Sequence, residues 1–97
     1  MDTYVILRRS GWRSPEELQE SAARSAQVGD EMSDDIRWIR SYVIEEPGGG
    51  LGTVCIYQGS SEEKVREHAQ RAGLPADEVI KVADTVIVRP DPEKAAN

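Results

Sequence analysis

Three residues of this chain could do chemistry near neutral pH: His68, Cys55 and Arg40. His68 is the single histidine. It lies in Val65-Arg66-Glu67-His68-Ala69, just before the helix stop Gly73-Leu74-Pro75-Ala76. Its imidazole is the only side chain here whose ordinary pKa falls near neutrality, so it could ligate a metal or move a proton. Cys55, the single cysteine, sits in Val54-Cys55-Ile56-Tyr57 and as a thiolate could be a second ligand. Two donors are too few for a closed metal site, so water, a carboxylate or a second subunit would have to complete it. No Cys-x-x-Cys or His-x-x-x-His spacing is present, which excludes zinc-finger and zincin chemistry at the level of motifs. The bland alternatives carry weight. A lone histidine beside a buried stripe is commonly a hydrogen-bonded structural residue, and a mid-strand cysteine is commonly a small buried hydrophobe. A Cys-His nucleophilic pair would lack both an orienting third group and an oxyanion hole.

Arg40 belongs to Trp38-Ile39-Arg40-Ser41-Tyr42-Val43. Pointing inward among rings it would need an acid or an anion; on an edge strand it would instead snorkel to solvent. The acid pairs Asp34-Asp35, Glu45-Glu46 and Glu62-Glu63 fall at turns and helix starts, where capping and solubility explain them.

The elements that must position these residues read in the order β-α-β-β-α-β. A strand over 3–9 is broken by Ser10-Gly11, and Ser14, Pro15 and Glu17 open a helix running to about Met32. Its inner face reads as Leu18, Ala22, Ser25, Ala26, Gly29 and Met32. Strands follow over about 36–46 and 52–58, joined by Pro47-Gly48-Gly49-Gly50. That run is a hairpin loop rather than a phosphate loop, since no Gly-Lys-Ser/Thr ending or helix follows it. Ser60 with Glu63 predicts a second capping box. Val65, Ala69 and Ala72 mark the inner face of that helix, and Gly73 ends it. A last strand spans about 78–88. The fold class is α+β, ferredoxin-like: a four-stranded antiparallel sheet with both helices on one face. One domain covers 1–90, and 91–97 reads as a flexible tail.

Strict alternation puts Tyr4, Ile6, Arg8, Trp38, Arg40, Tyr42, Ile44, Cys55 and Tyr57 on one sheet face, and Val5, Leu7, Ile39, Ser41, Val43, Val54 and Ile56 on the other. Either face could lie under the helices. The small residues lining both helices favour the aromatic one, because they leave room for rings or for a cavity. His68 would then approach Cys55, Tyr57 and Arg40. The face left over is apolar enough to mark an interface, so a homodimer through sheet faces is expected.

Composition narrows the classes further. The chain has 97 residues and a net charge of −6, which argues against nucleic acid or an anionic membrane as partner. No apolar run reaches membrane-spanning length, and one cysteine permits no internal disulfide, so a cytoplasmic setting is expected. The chain has no phenylalanine, so every large ring brings a polar atom to the interior.

Trp38-x-x-Ser41-Tyr42-Val43, Cys55-x-Tyr57, Val65-Arg66-Glu67-His68-Ala69 and Gly73-Leu74-Pro75-Ala76 together resemble a family of small bacterial ferredoxin-like proteins of unknown function that includes an actinobacterial nickel-binding protein. The resemblance covers about residues 3–90. It implies a homodimer and, carried onto this chain, His68 and Cys55 as ligands for nickel or another transition metal. Family members commonly carry histidine where this chain has Arg40. The expectation is therefore a dimeric cytoplasmic nickel-binding protein. The alternative is a small-molecule or anion-binding module whose pocket is Trp38, Arg40, Tyr42 and Tyr57, with Arg40 replacing a metal ligand. A dimeric α+β-barrel enzyme using His68 is the third reading, and no catalytic residue is assigned.

Overall fold

The computed structural model describes residues 1–92. Its elements are β1 (Asp2–Trp12), α1 (Pro15–Glu31), β2 (Ile36–Glu45), β3 (Leu51–Gly59), α2 (Glu62–Ala72) and β4 (Glu78–Lys81). The strands form one antiparallel sheet in the order β2-β3-β1-β4. This is the expected β-α-β-β-α-β arrangement, with the helices over the face that carries Tyr4, Ile6, Cys55 and Tyr57.

Local chemistry accounts for the helix ends. The Ser14 hydroxyl accepts from Glu17 N, and Glu17 reaches back to accept from Arg13 N. These bonds satisfy donors that a helix start leaves free. At α2 the cap is Ser61, not Ser60: its hydroxyl accepts from Lys64 N, while Ser60 donates to Asp35 and ties the strand exit to the α1–β2 turn. Gly73 closes α2 in the left-handed conformation, φ 69°, where a Cβ would be strained.

The core gathers Tyr4, Ile6, Val28, Met32, Ile36, Cys55, Tyr57, Val65 and Ala72. Gly59 is required within it, because an added Cβ would lie 2.6 Å from Val65 Cγ2. The buried face of α1 is Ser21, Ser25 and Val28, with Met32 at its C-cap. The expected Leu18 and Ala22 are only half-buried, since they overhang a cavity instead of meeting the sheet.

Two further expectations are corrected. The last strand ends at Lys81 rather than near residue 88. Its partner β1 begins at Asp2, so after Val82 N bonds Thr3 O there is no further ladder to join, and Val86, Ile87 and Val88 are exposed. The second correction concerns β2. A bulge interrupts its pairing: Trp38 stands opposite Tyr57, but Arg40 stands opposite Ile56, leaving Ile39 as the extra residue. Beyond the bulge the faces exchange. Ser41 and Val43 join Cys55 and Thr53 on the helix side, while Arg40 and Tyr42 join Ile56 and Val54 on the open face. Of the expected 91–97 tail, Asp91 accepts from Arg40 and Tyr42 on that open face. Residues 93–97 lie outside the described residues.

Candidate functional site

Because α1 presents small residues to β2, helix and strand do not close on each other. The gap is a cavity of about 490 Å³, within the range of small-molecule sites. Its floor is sheet: Arg8, Thr53, Cys55 and Tyr57, all buried. Its wall is α1, through Leu18, Ser21, Ala22 and Ser25. Gln19, Trp38, Ile39 and Val43, exposed at the edge of β2 and α1, form the rim.

The floor holds the decisive group. Arg8 follows Tyr4 and Ile6 on the inward face of β1 and is 1% exposed. None of its three guanidinium nitrogens has a hydrogen-bond partner among the described residues. Its carbon lies 6.0 Å from the Tyr57 ring centroid. Arginine stays protonated in proteins, and a buried charge is tolerated when paired. Arg8 is thus a cation buried at the bottom of a pocket with no counter-charge among the described residues.

The surrounding hydroxyls take part in a hydrogen-bond network. Trp12 Nε1 donates to Ser21 at 2.7 Å. Ser25 and Tyr57 share a hydrogen bond of 2.9 Å. Trp38 Nε1 donates to Ser41, which donates to Cys55 Sγ, which in turn donates to Thr53. Trp38 lies parallel to Tyr57, ring centroids 5.9 Å apart. Burial raises the Tyr57 pKa, opposed by the Ser25 bond and by Arg8. The phenol therefore stays neutral.

His68 is fully buried on α2, with Nε2 3.0 Å from the carbonyl oxygen of Ser25. A carbonyl only accepts, so Nε2 carries the proton and Nδ1 is a free lone pair. Desolvation lowers the His68 pKa, the Ser25 carbonyl opposes this, and the charges of Arg8 and Arg71 add to the lowering. The ring is neutral and does not line the cavity.

The residues singled out from sequence thus separate. Trp38, Tyr57 and Cys55 meet at the cavity. Arg40 touches the rim, but its guanidinium is bound by Asp91. Tyr42 bonds the same carboxylate and is not a lining residue. His68 sits behind Tyr57, ring centroids 5.2 Å apart. Residue type and motif do not point to Arg8, although alternation places it on the aromatic face. A cation in register with Tyr4 and Ile6 was the available signal.

No group of three or more His, Cys, Asp or Glu residues capable of holding a metal occurs among the described residues. The Cys55 thiol is engaged by two hydroxyls, and Arg8 sets a positive charge beside the ring of Tyr57. One chain does not fit nickel at this place.

A ferredoxin-like domain with a ligand-sized cavity between helix and sheet is the class that fold and site define. The sequence pattern of the family described as nickel responsive protein SCO4226-like matches residues 4–82, and the chain belongs to that family. The crystal structure of SCO4226 from Streptomyces coelicolor A3(2) is similar, with a TM-score of 0.67 and 21% identity over 87% of this chain and 99% of that one. That likeness shows the fold. No curated protein matches the chain. No helix among the described residues is long and apolar enough to cross a membrane.

Proposed function

We propose that this protein is a non-catalytic small-molecule-binding protein that captures an anion on Arg8. The observation that carries this reading is the unpaired, buried guanidinium at the floor of the cavity. A guanidinium presents a planar fork that matches carboxylate geometry, and binding would supply the counter-charge that the fold omits. The anion is assigned to Arg8 and not to Arg40, whose guanidinium is paired with Asp91. Protein isolated under native conditions and then denatured should release an acidic small molecule, read by negative-ion mass spectrometry, that Arg8→Met protein does not carry. Identical small-molecule contents for the two proteins would overturn the reading.

The family is described as nickel responsive, and one observation favours nickel binding as a second reading, the Nδ1 lone pair of His68, which has no partner among the described residues. It requires donors that one chain does not bring together. Calorimetry with nickel separates the readings: sub-micromolar binding lost in both His68→Ala and Cys55→Ser would favour the metal.

We also propose a homodimer through the open sheet face, where Val5, Leu7, Val54, Ile56 and Ile80 lie in register. Exposure of Ile80 at 46% and Tyr42 at 45% supports it. A sedimentation mass of one chain at micromolar concentration would reject the dimer. A cytoplasmic location is proposed with it, from the single buried free thiol.

A further inference from the structure

Resting on the anion reading, we infer that the ligand class is a hydrophobic monocarboxylate, an aryl or medium-chain alkyl acid, and not a phosphate or another polar dianion. Four features of the cavity carry this.

The first is charge. Of the two lining cations, Arg8 is buried with no hydrogen-bond partner among the described residues, whereas Arg40 lies at the exposed rim and is paired with Asp91. One guanidinium neutralises one carboxylate through two parallel hydrogen bonds. The second is the missing support for phosphate. Such sites use helix N-termini or several cations. Here the first turn of α1 carries Glu16 and Glu17, whose charges oppose a dianion, and the Ser41 hydroxyl spends its proton on Cys55 Sγ.

The third feature is the apolar body of the cavity. Trp12, Leu18, Ala22, Trp38, Val43 and Leu74 enclose it, so the rest of the ligand meets rings and aliphatic carbon. A volume of about 490 Å³ is far more than a carboxylate group or one or two waters would fill. The fourth is the field of the whole chain. With a net charge of −6 the surface repels anions, and a dianion more strongly than a monoanion. Affinity must then come from short-range contacts, one fork for the head and apolar burial for the tail.

The test uses protein refolded from denaturant to remove any carried ligand. Trp12 and Trp38 report binding by fluorescence, and melting temperature reports it independently. The probes are sodium octanoate, sodium benzoate, sodium acetate, sodium phosphate and 1-octanol at pH 7 and fixed ionic strength. The expected result is saturable binding of octanoate and benzoate, with acetate and 1-octanol at least tenfold weaker and phosphate without effect. Arg8→Met should abolish octanoate binding. Arg8→Lys, which keeps the charge but loses the fork, should weaken it at least fivefold, and it serves if Arg8→Met fails to fold. Acetate or phosphate binding as tightly as octanoate would overturn the hydrophobic class and leave the anion reading standing. Equal binding of 1-octanol and octanoate, or no response to any probe, would overturn both.

Discussion

His68 donates from Nε2 to the carbonyl oxygen of Ser25 across 3.0 Å, tying α2 to α1 through a bond that only the Nε2-protonated ring can make. Protonating Nδ1 would bury a second charge behind Tyr57, near Arg8. The folded-state pKa is therefore below the unfolded value of about 6.5. Above that value neither state takes the proton, and stability does not depend on this ring. As pH falls below about 6.5 the unfolded chain binds the proton first, so stability declines, by at most about 1.4 kcal/mol per pH unit, until the folded pKa is reached. Urea denaturation between pH 7 and 5 should show this decline in the wild type and a smaller one in His68→Gln. Equal slopes would contradict it.

Ser25 has a second role, since its hydroxyl bonds the buried phenol of Tyr57. Ser25→Ala would strand that phenol without its partner. A loss of about 1–3 kcal/mol in unfolding free energy is expected from denaturant titration. Tyr57→Phe in the same background should recover part of it, because the stranded hydroxyl is then gone.

Adjacent serines at the start of α2 should behave differently. Ser61→Ala removes the hydroxyl that accepts from Lys64 N and should cost about 1 kcal/mol. Ser60→Ala removes an exposed link to Asp35 and should cost less than half as much. Melting curves of the two variants check the order, which reverses if Ser60 is the cap.

Arg40 tests the bulge. Its ion pair with Asp91 is exposed on both sides, so Arg40→Ala should change stability by less than about 1 kcal/mol. It should also leave octanoate binding within about twofold. A loss of binding comparable to that of Arg8→Met would mean that the guanidinium of Arg40, not that of Arg8, holds the ligand.

The element order was legible because each boundary carries a chemical signal: Ser14-Pro15, Gly48 to Gly50, Gly73-Leu74-Pro75. The choice of covered face followed from the small residues of α1 and α2, and Tyr4, Ile6, Cys55 and Tyr57 are buried there. What alternation could not show is the extra residue at Ile39. A bulge leaves no mark in composition, and it moves every later side chain of β2 to the other face. That is why Arg40 and Tyr42 were expected in the pocket and Ser41 and Val43 were not. The burial of Arg8 is hidden from the sequence for a related reason. A strand arginine followed by Arg9 reads as solvated, and only the depth of the floor separates the buried Arg8 from the exposed Arg9, which pairs with Glu46.

The central claim is that Arg8 is held for a ligand at a cost to the fold. The direct measurement is the melting temperature of ligand-free wild type against Arg8→Met, each refolded from denaturant. Methionine keeps the aliphatic stem and removes the unpaired charge, so the account predicts a rise of about 4 °C or more, corresponding to roughly 1 kcal/mol for a domain of this size. A fall of that size would show that the guanidinium stabilises the empty protein, and would contradict the account.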